Sequence, residues 1–281
     1  MKRILTCAIA TVATLMVAGT TSSFAQTDVL SSIKSKGTLT CGVLAVNEPF
    51  AYQDVQTRQL VGYELDLCTM LGDYLGVKSE KKVVTSQSRV PELVQGRVDV
   101  LISLLSYTTE RAEQVDFSNN YLEASWKCVV QKDSPIQHLN ELSDKRVAVL
   151  KGSVVETPFR KKFPDATILA LDDTSASLLA LFQGKVAATC NNVVTVRLVA
   201  SQSGDGDNTR VLPEPIMTAT TGMAVKKGNT AFVEQINTFL DKIETDGQGD
   251  KLFNKWLGSD SKLKLTRDFK FGTPNRPLQI N

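Results

Sequence analysis

A six-residue pattern occurs twice in this chain of 281 residues. Leu93-Val94-Gln95-Gly96-Arg97-Val98 returns as Leu181-Phe182-Gln183-Gly184-Lys185-Val186. In both copies an apolar pair closes a helix, Gly stops it, and a hydrophobic strand follows. The copies stand too far apart for a solenoid repeat. Two α/β units built on one local plan would produce this echo; a match of six residues also arises by chance.

The first copy sits inside a run that reads helix, turn, strand, loop, helix. Pro91 is placed where a first helical turn tolerates it. Val98-Asp99-Val100-Leu101-Ile102 reads as a buried strand, and it ends in the hydroxyls Ser103, Ser106, Thr108 and Thr109. Thr108 or Thr109 caps the next helix, with Glu110 in its first turn. Open α/β sheets bind ligands beyond the carboxyl ends of their strands. Arg111 and Arg89 flank this loop, and a guanidinium grips a carboxylate with two parallel hydrogen bonds. The same residues also fit two surface arginines beside a capped helix.

Further strands and helices alternate along the chain. Leu39–Leu44 is the first strand, with Asn47 and Phe50 in the loop after it. Leu67, Met70, Leu71, Tyr74 and Leu75 form a helical stripe that Gly76 stops. Trp126–Gln131 reads as a first crossing into a second lobe, and Asp133-Ser134-Pro135 marks the boundary. Val147–Leu150 opens that lobe and runs into Lys151-Gly152-Ser153, a strand-to-helix loop suited to an anion. Asp173 or Thr174 caps a helix, and Asn191-Asn192 end the strand that begins at Val186. Gly222–Val225 is the second crossing, and Phe232, Ile236, Phe239, Leu240 and Ile243 make a last long stripe. Lobe one is therefore discontinuous, residues 26–131 plus 222–281, with lobe two at 132–221. Two crossing strands make a hinge that a ligand can hold closed.

Residues 1–25 read as a secretory signal peptide: Lys2 and Arg3, an apolar run from Ile4 to Val17, then Ser23-Phe24-Ala25 as a cleavage site. The product is expected in the periplasm. The leader carries two of the positive charges behind the net +2, so the rest of the chain is near neutral. That balance excludes nucleic acid as a partner class. The locally basic stretch from Lys262 to Arg276 reads as a solvated tail. Cys41, Cys68, Cys128 and Cys190 lie in apolar runs without Cys-x-x-Cys spacing, which excludes a zinc or redox motif. Core thiols are expected ahead of disulfides, with Cys41 and Cys68 the first pair to test. His138, the only histidine, reads as a surface residue. Ser203–Asn208 reads as a flexible loop without the pattern of a calcium site. No metal and no cofactor are expected.

The run from Ser86 to Ser118, with Gly62-Tyr63-Glu64-Leu65-Asp66-Leu67 and Leu71, resembles the bacterial extracellular solute-binding proteins of family 3. These are receptors of ABC importers for polar amino acids. Arg89-Val90-Pro91 is similar to the Arg-x-Pro of the glutamate/aspartate branch. The resemblance implies a type II periplasmic-binding-protein fold, with two α/β lobes joined by two crossing strands. It also implies a monomer that binds a small carboxylate and delivers it to an inner-membrane permease. Arg111 matches the arginine that grips the ligand α-carboxylate. Ser106 and Thr108 match neighbouring donors, and Ser153 matches the donor from lobe two. Arg89 and Ser86 match positions that hold a side-chain carboxylate. Asn47, Phe50 and Thr174 complete the implied ligand set.

Several positions depart from the family. Asn192 stands where an aspartate usually takes the ligand ammonium. Asn47 and Ser86 replace the aromatic rings of receptors for basic amino acids. Leu44 and Thr174 replace an arginine and a histidine of the glutamate/aspartate branch, and Val154 replaces a hydroxyl or glycine. The resulting expectation is an acidic or amide amino acid. The alternatives are a dicarboxylate without an α-amine, and a dehydratase-type enzyme on the same fold. The enzyme would need a positioned acid or base, which the cleft sequence does not offer, so binding without catalysis is expected.

Overall fold

The computed structural model describes residues 28–192, 194, 195, 198, 208–267, 269–277, 279 and 280. The expected signal peptide at residues 1–25 and the Ser203–Asp207 part of the expected loop fall outside these residues. Lobe one begins with α1 (Val29–Lys36) and β1 (Thr38–Val43). A small antiparallel sheet follows, β2 (Val46–Asn47), β3 (Ala51–Gln53) and β4 (Leu60–Val61). Then come α2 (Tyr63–Leu75), β5 (Lys78–Val83), α3 (Arg89–Val94), β6 (Val100–Leu101) and α4 (Thr109–Gln114). β7 (Val115–Gln131) leads into β8 (Arg146–Leu150), α5 (Glu156–Lys162), β9 (Thr167–Leu171), α6 (Thr174–Phe182) and β10 (Ala188–Asn192). β11 (Thr209–Lys226) returns to helices Thr230–Thr245 and Gln248–Trp256, and β12 (Gln279–Ile280) pairs with β11.

Among the described residues, one sheet runs in the order β5-β1-β6-β11-β7-β10-β8-β9. β5, β1 and β6 are parallel, and so are β10, β8 and β9. The antiparallel pair β7–β11 joins these halves, its register running from Thr209 opposite Gln131 to Lys226 opposite Val115. The two crossing segments are thus longer than the apolar runs Trp126–Gln131 and Gly222–Val225. Asn119, Asn120, Glu123 and Ser125 break any hydrophobic alternation, and the pairing itself makes the strand.

The cores divide along this pair. One cluster joins Ile33, Leu67, Leu71, Phe232, Ile236 and Phe239 with Tyr121, Leu122 and Met223, and a second lies across the sheet on Leu93, Leu101 and Ala224. In lobe two, Phe159 packs with Trp126, Val149 and Met217 on one face, and Leu178 and Leu181 cover the other. The architecture is two three-layer α/β lobes, and membership changes hands between Leu122 and Trp126 and between Ala219 and Met223.

Two expectations are corrected. The cysteines are not core thiols: Cys41 bonds Cys68 and Cys128 bonds Cys190. The first bond joins β1 to the α2 helix stacked on it. The second joins neighbours in the β7–β10 register, Cys128 opposite Cys190. Apolar surroundings suit a disulfide as well as a thiol, so the local sequence alone could not separate them. The stretch from Lys262 to Arg276 is also not a solvated tail. Phe269 and Phe271 are buried in the first core, and Arg267 binds Glu244 at 2.6 Å and Asp250 at 2.7 Å.

The sequence separations closed by the two disulfides are 27 and 62 residues. Loop-closure entropy assigns each a stabilisation of about 4 kcal/mol. Replacing Cys41 and Cys68, or Cys128 and Cys190, by Ala is expected to lower the urea midpoint clearly. Circular dichroism during a urea titration checks this, and an unchanged midpoint contradicts it.

Candidate ligand-binding cleft

The loop after β6 is built from inside the protein outward. Leu104 has φ 51, an unfavourable conformation for a β-carbon-bearing residue. Its N–H donates to Glu64 Oε1 at 2.6 Å, and the Tyr121 hydroxyl donates to the same oxygen. Tyr63 in turn donates to the Tyr121 carbonyl at 2.9 Å. This turn presents two carbonyls to two guanidiniums. Ser103 O accepts from Arg89 Nη1, and Ser106 O accepts from Arg111 Nη1 at 2.9 Å. Ser106 also bridges to Thr221, and Tyr107 N donates to Thr220 O, which moors the loop on β11.

Arg89 is almost wholly buried, at 3% exposure. Burial, then the neighbouring charge of Arg111, pulls its pKa down to about 9. Burial alone brings Arg111 down to about 10. Both stay cationic at neutral pH, so two positive charges sit close together in a poorly solvated place. Burial also pushes the Glu64 carboxyl up to about 7, against the pull of Tyr121, Leu104 N–H and Arg89. Glu64 is the partial counter-charge of this cluster. The Thr108 hydroxyl accepts from Arg111 N at 3.2 Å and caps α4.

Lobe two closes on this surface. Gly152 has φ 71, and a β-carbon there would lie 3.0 Å from Gln87 Cγ and 3.4 Å from the Ser86 carbonyl carbon. Glycine, with a positive φ and no β-carbon, suits this close approach of the lobes. Thr108, Arg111 and Ser153 line one cavity of about 490 Å³ with Val154, Lys161 and Pro277. Asn192 ends β10 with its Oδ1 accepting from Val194 N at 3.0 Å. Thr174 starts α6 and accepts from Asn191 Nδ2 at 3.0 Å. Asn47 lies in β2, 2% exposed, and Phe50 is fully buried with its ring edge on Tyr63.

The structure therefore brings Arg111, Thr108 and Ser153 to one cavity, with Ser86 at the lobe contact beside it. Arg89, Ser106, Asn192, Asn47, Phe50 and Thr174 are not among the residues lining that cavity. Several are nonetheless buried polar groups in want of a partner. Among the described residues, Arg89 Nε, Ser103 Oγ, Ser106 Oγ, Ser153 Oγ and Asn192 Nδ2 have none. Buried polar atoms rarely stay so. Every one of these atoms can donate, and both lobes contribute.

Sequence reasoning missed Glu64, Tyr121, Asn191 and Pro277. Glu64 reads as an ordinary acid in a helix's first turn. Tyr121 and Pro277 sit in stretches without periodicity, and Asn191 gave only its place at a strand end.

Residues 39–259 match the model of the bacterial extracellular solute-binding proteins, family 3. The chain is 30% identical over 247 residues to the ABC transporter glutamine-binding protein GlnH of Bacillus subtilis, covering 86% of this chain and 89% of that protein. The cysteine-binding protein from Campylobacter jejuni superposes with a TM-score of 0.77 at 26% identity, over 86% of this chain and 96% of the other. An ancestral amino acid-binding protein, AncCDT-1, described as a precursor of cyclohexadienyl dehydratase, does so with a TM-score of 0.75 at 28% identity, over 82% and 99%. The matched region spans both lobes and both crossing strands, so the chain belongs to the bacterial extracellular solute-binding proteins of family 3 and shares their two-lobed fold.

Proposed function

We propose that this protein captures a small polar amino acid, acidic or amide, between its lobes and hands it to the permease of an ABC importer. The observation that carries this reading is the meeting of Arg111 and Thr108 from lobe one with Ser153 from lobe two on one cavity. A carboxylate in that gap pairs with the Arg111 guanidinium and supplies an acceptor for the unpartnered Ser153 hydroxyl. It also offsets two guanidinium charges that Glu64 only half offsets. Relatives named for glutamine and cysteine support an α-amino acid as the ligand class. The leader and two disulfides support a site of action outside the cytoplasmic membrane. The buried acid beside Arg89, Glu64, is held by Leu104 N–H and the Tyr121 hydroxyl, which suits a structural carboxylate better than proton transfer.

One observation favours a second reading. The acceptor of Asn192 is used by Val194 N–H, and its Nδ2 is left to donate. A donor suits a carboxylate or carbonyl oxygen, not an ammonium. An organic acid without an α-amine is the alternative ligand.

Losing one partner of a desolvated charge pair costs about 2–5 kcal/mol. Arg111→Ala is therefore expected to weaken binding by 30-fold or more in calorimetry with L-glutamine, L-glutamate and L-aspartate. Unchanged affinity for every ligand that the parent binds overturns the role. Asn192→Asp restores a negative acceptor. It should favour amino acids over succinate relative to the parent, and a shift the other way counts against the assignment of that position.

A pH effect follows from Glu64. As pH rises through about 7 its carboxyl ionises and competes with a ligand carboxylate for Arg89. Binding an anion should raise the Glu64 pKa, so protons are taken up on binding and affinity falls from pH 6 to pH 8. Calorimetry in buffers of different ionisation heat reads this directly. Glu64→Gln should flatten the profile, and a flat profile in the parent refutes the coupling.

A further inference from the structure

The segment from Gly272 to Pro277 lies along the place where the two lobes exchange cores. Gly272 N donates to Asn120 O at 3.0 Å, and Asn120 N donates to Thr273 O at 2.9 Å. Thr273 Oγ1 donates to Asn120 Oδ1 at 2.7 Å, and the Asn275 amide donates to Ser118 O. These anchors belong to the lobe-one end of β7. Arg276 N then donates to Thr220 Oγ1 at 3.0 Å, and its guanidinium pairs with Glu123. Both partners sit inside the crossover. Beyond it, Gln279 and Ile280 pair with Thr218 and Met217, and Met217 belongs to the lobe-two core. The chain has passed from one lobe to the other a third time.

The fit is close. A β-carbon on Gly222 would meet Asn275 Nδ2 at 2.9 Å and Ser118 O at 2.6 Å. At its far end the segment reaches the cleft, because Pro277 lines the same cavity as Arg111 and Ser153. Upstream, Phe269 and Phe271 anchor it in the lobe-one core.

We propose that residues 272–277 form a third limb of the hinge, which walls the cleft at Pro277 and favours the closed arrangement of the lobes. Only a few residues separate the Asn120 anchor from the Thr220 and Thr218 anchors. Swinging lobe two away changes the span between them, so bonds on one side must lengthen or break. The bonds described above coexist with lobes in contact at Gly152 and Ser86. Opening is thus opposed by the segment, and ligand affinity depends on it. The link to affinity rests on the reading of the cleft given above, whereas the link to hinge motion does not.

Two variants test this beside the parent: a chain ended after Gly272, and Thr220→Val, which keeps the side-chain shape and removes the acceptor for Arg276 N–H. Hydrogen–deuterium exchange without ligand is expected to speed up at residues 118–123 and 217–222 in both. Small-angle scattering should give the shortened chain a larger radius of gyration than the parent without ligand. The dissociation constant for L-glutamine should rise tenfold or more in the shortened chain, and by less in Thr220→Val. Parent-like exchange and parent-like radius in both variants overturn the proposal. Should the shortened chain fail to fold, exchange in Thr220→Val decides. Should the parent bind neither L-glutamine nor L-glutamate, the reading of the cleft fails, and exchange and scattering still decide on the limb.

Discussion

The antiparallel pairing of β7 with β11 is the constraint on which the rest depends. Each half-sheet is parallel and needs helices on both faces, so each forms its own three-layer core. Those cores could lie on separate chains. Two strands of 17 and 18 residues, bonded along their length, instead pass from one half to the other. The loops after β6 and β8 then meet at one cavity and supply its donors. Register shifts near Thr221 and Gly222 loosen the ladder where the halves separate. A bulge of this kind bends a strand and increases its local twist.

Beside the gap, like charges are held together by groups that are themselves scarcely exposed. Arg89 and Arg111 repel one another, and each leans on a backbone carbonyl of one short loop. The loop can offer both carbonyls because Leu104 takes a left-handed turn, and Glu64 receives the amide that this turn exposes. Tyr121, on β7, shares that carboxylate, so the guanidinium cluster and the crossing strand are mechanically joined. Electrostatic strain of this kind is tolerated where a ligand relieves it.

Much of this was legible in the chain. The repeated helix–Gly–strand pattern was consistent with paired lobes, and the hydroxyls beyond Ile102 beside Arg111 pointed to the loop that the structure places on the cavity with Ser153. Side-chain chemistry narrowed each cap to two neighbours, of which Thr108 and Asp173 take the position. Other features were not. β7 and β11 carry polar residues where their partner strand and the tail satisfy the backbone, and no local periodicity records a partner. Cys128 and Cys190 meet through register between strands 62 residues apart in sequence. The buried placement of Phe269 and Phe271 depends on Arg267 reaching Glu244 across the lobe surface, which composition reads only as local basicity. Glu64 shows the general limit: its burial is set by contacts from three other elements.

Both disulfides lie inside a lobe, and neither spans the crossover. Covalent reinforcement is thereby kept apart from the stretches of β7 and β11 that pass between the lobes. The cavity is lined by loop and helix residues, none of them a buried member of the four apolar clusters that fill the lobes.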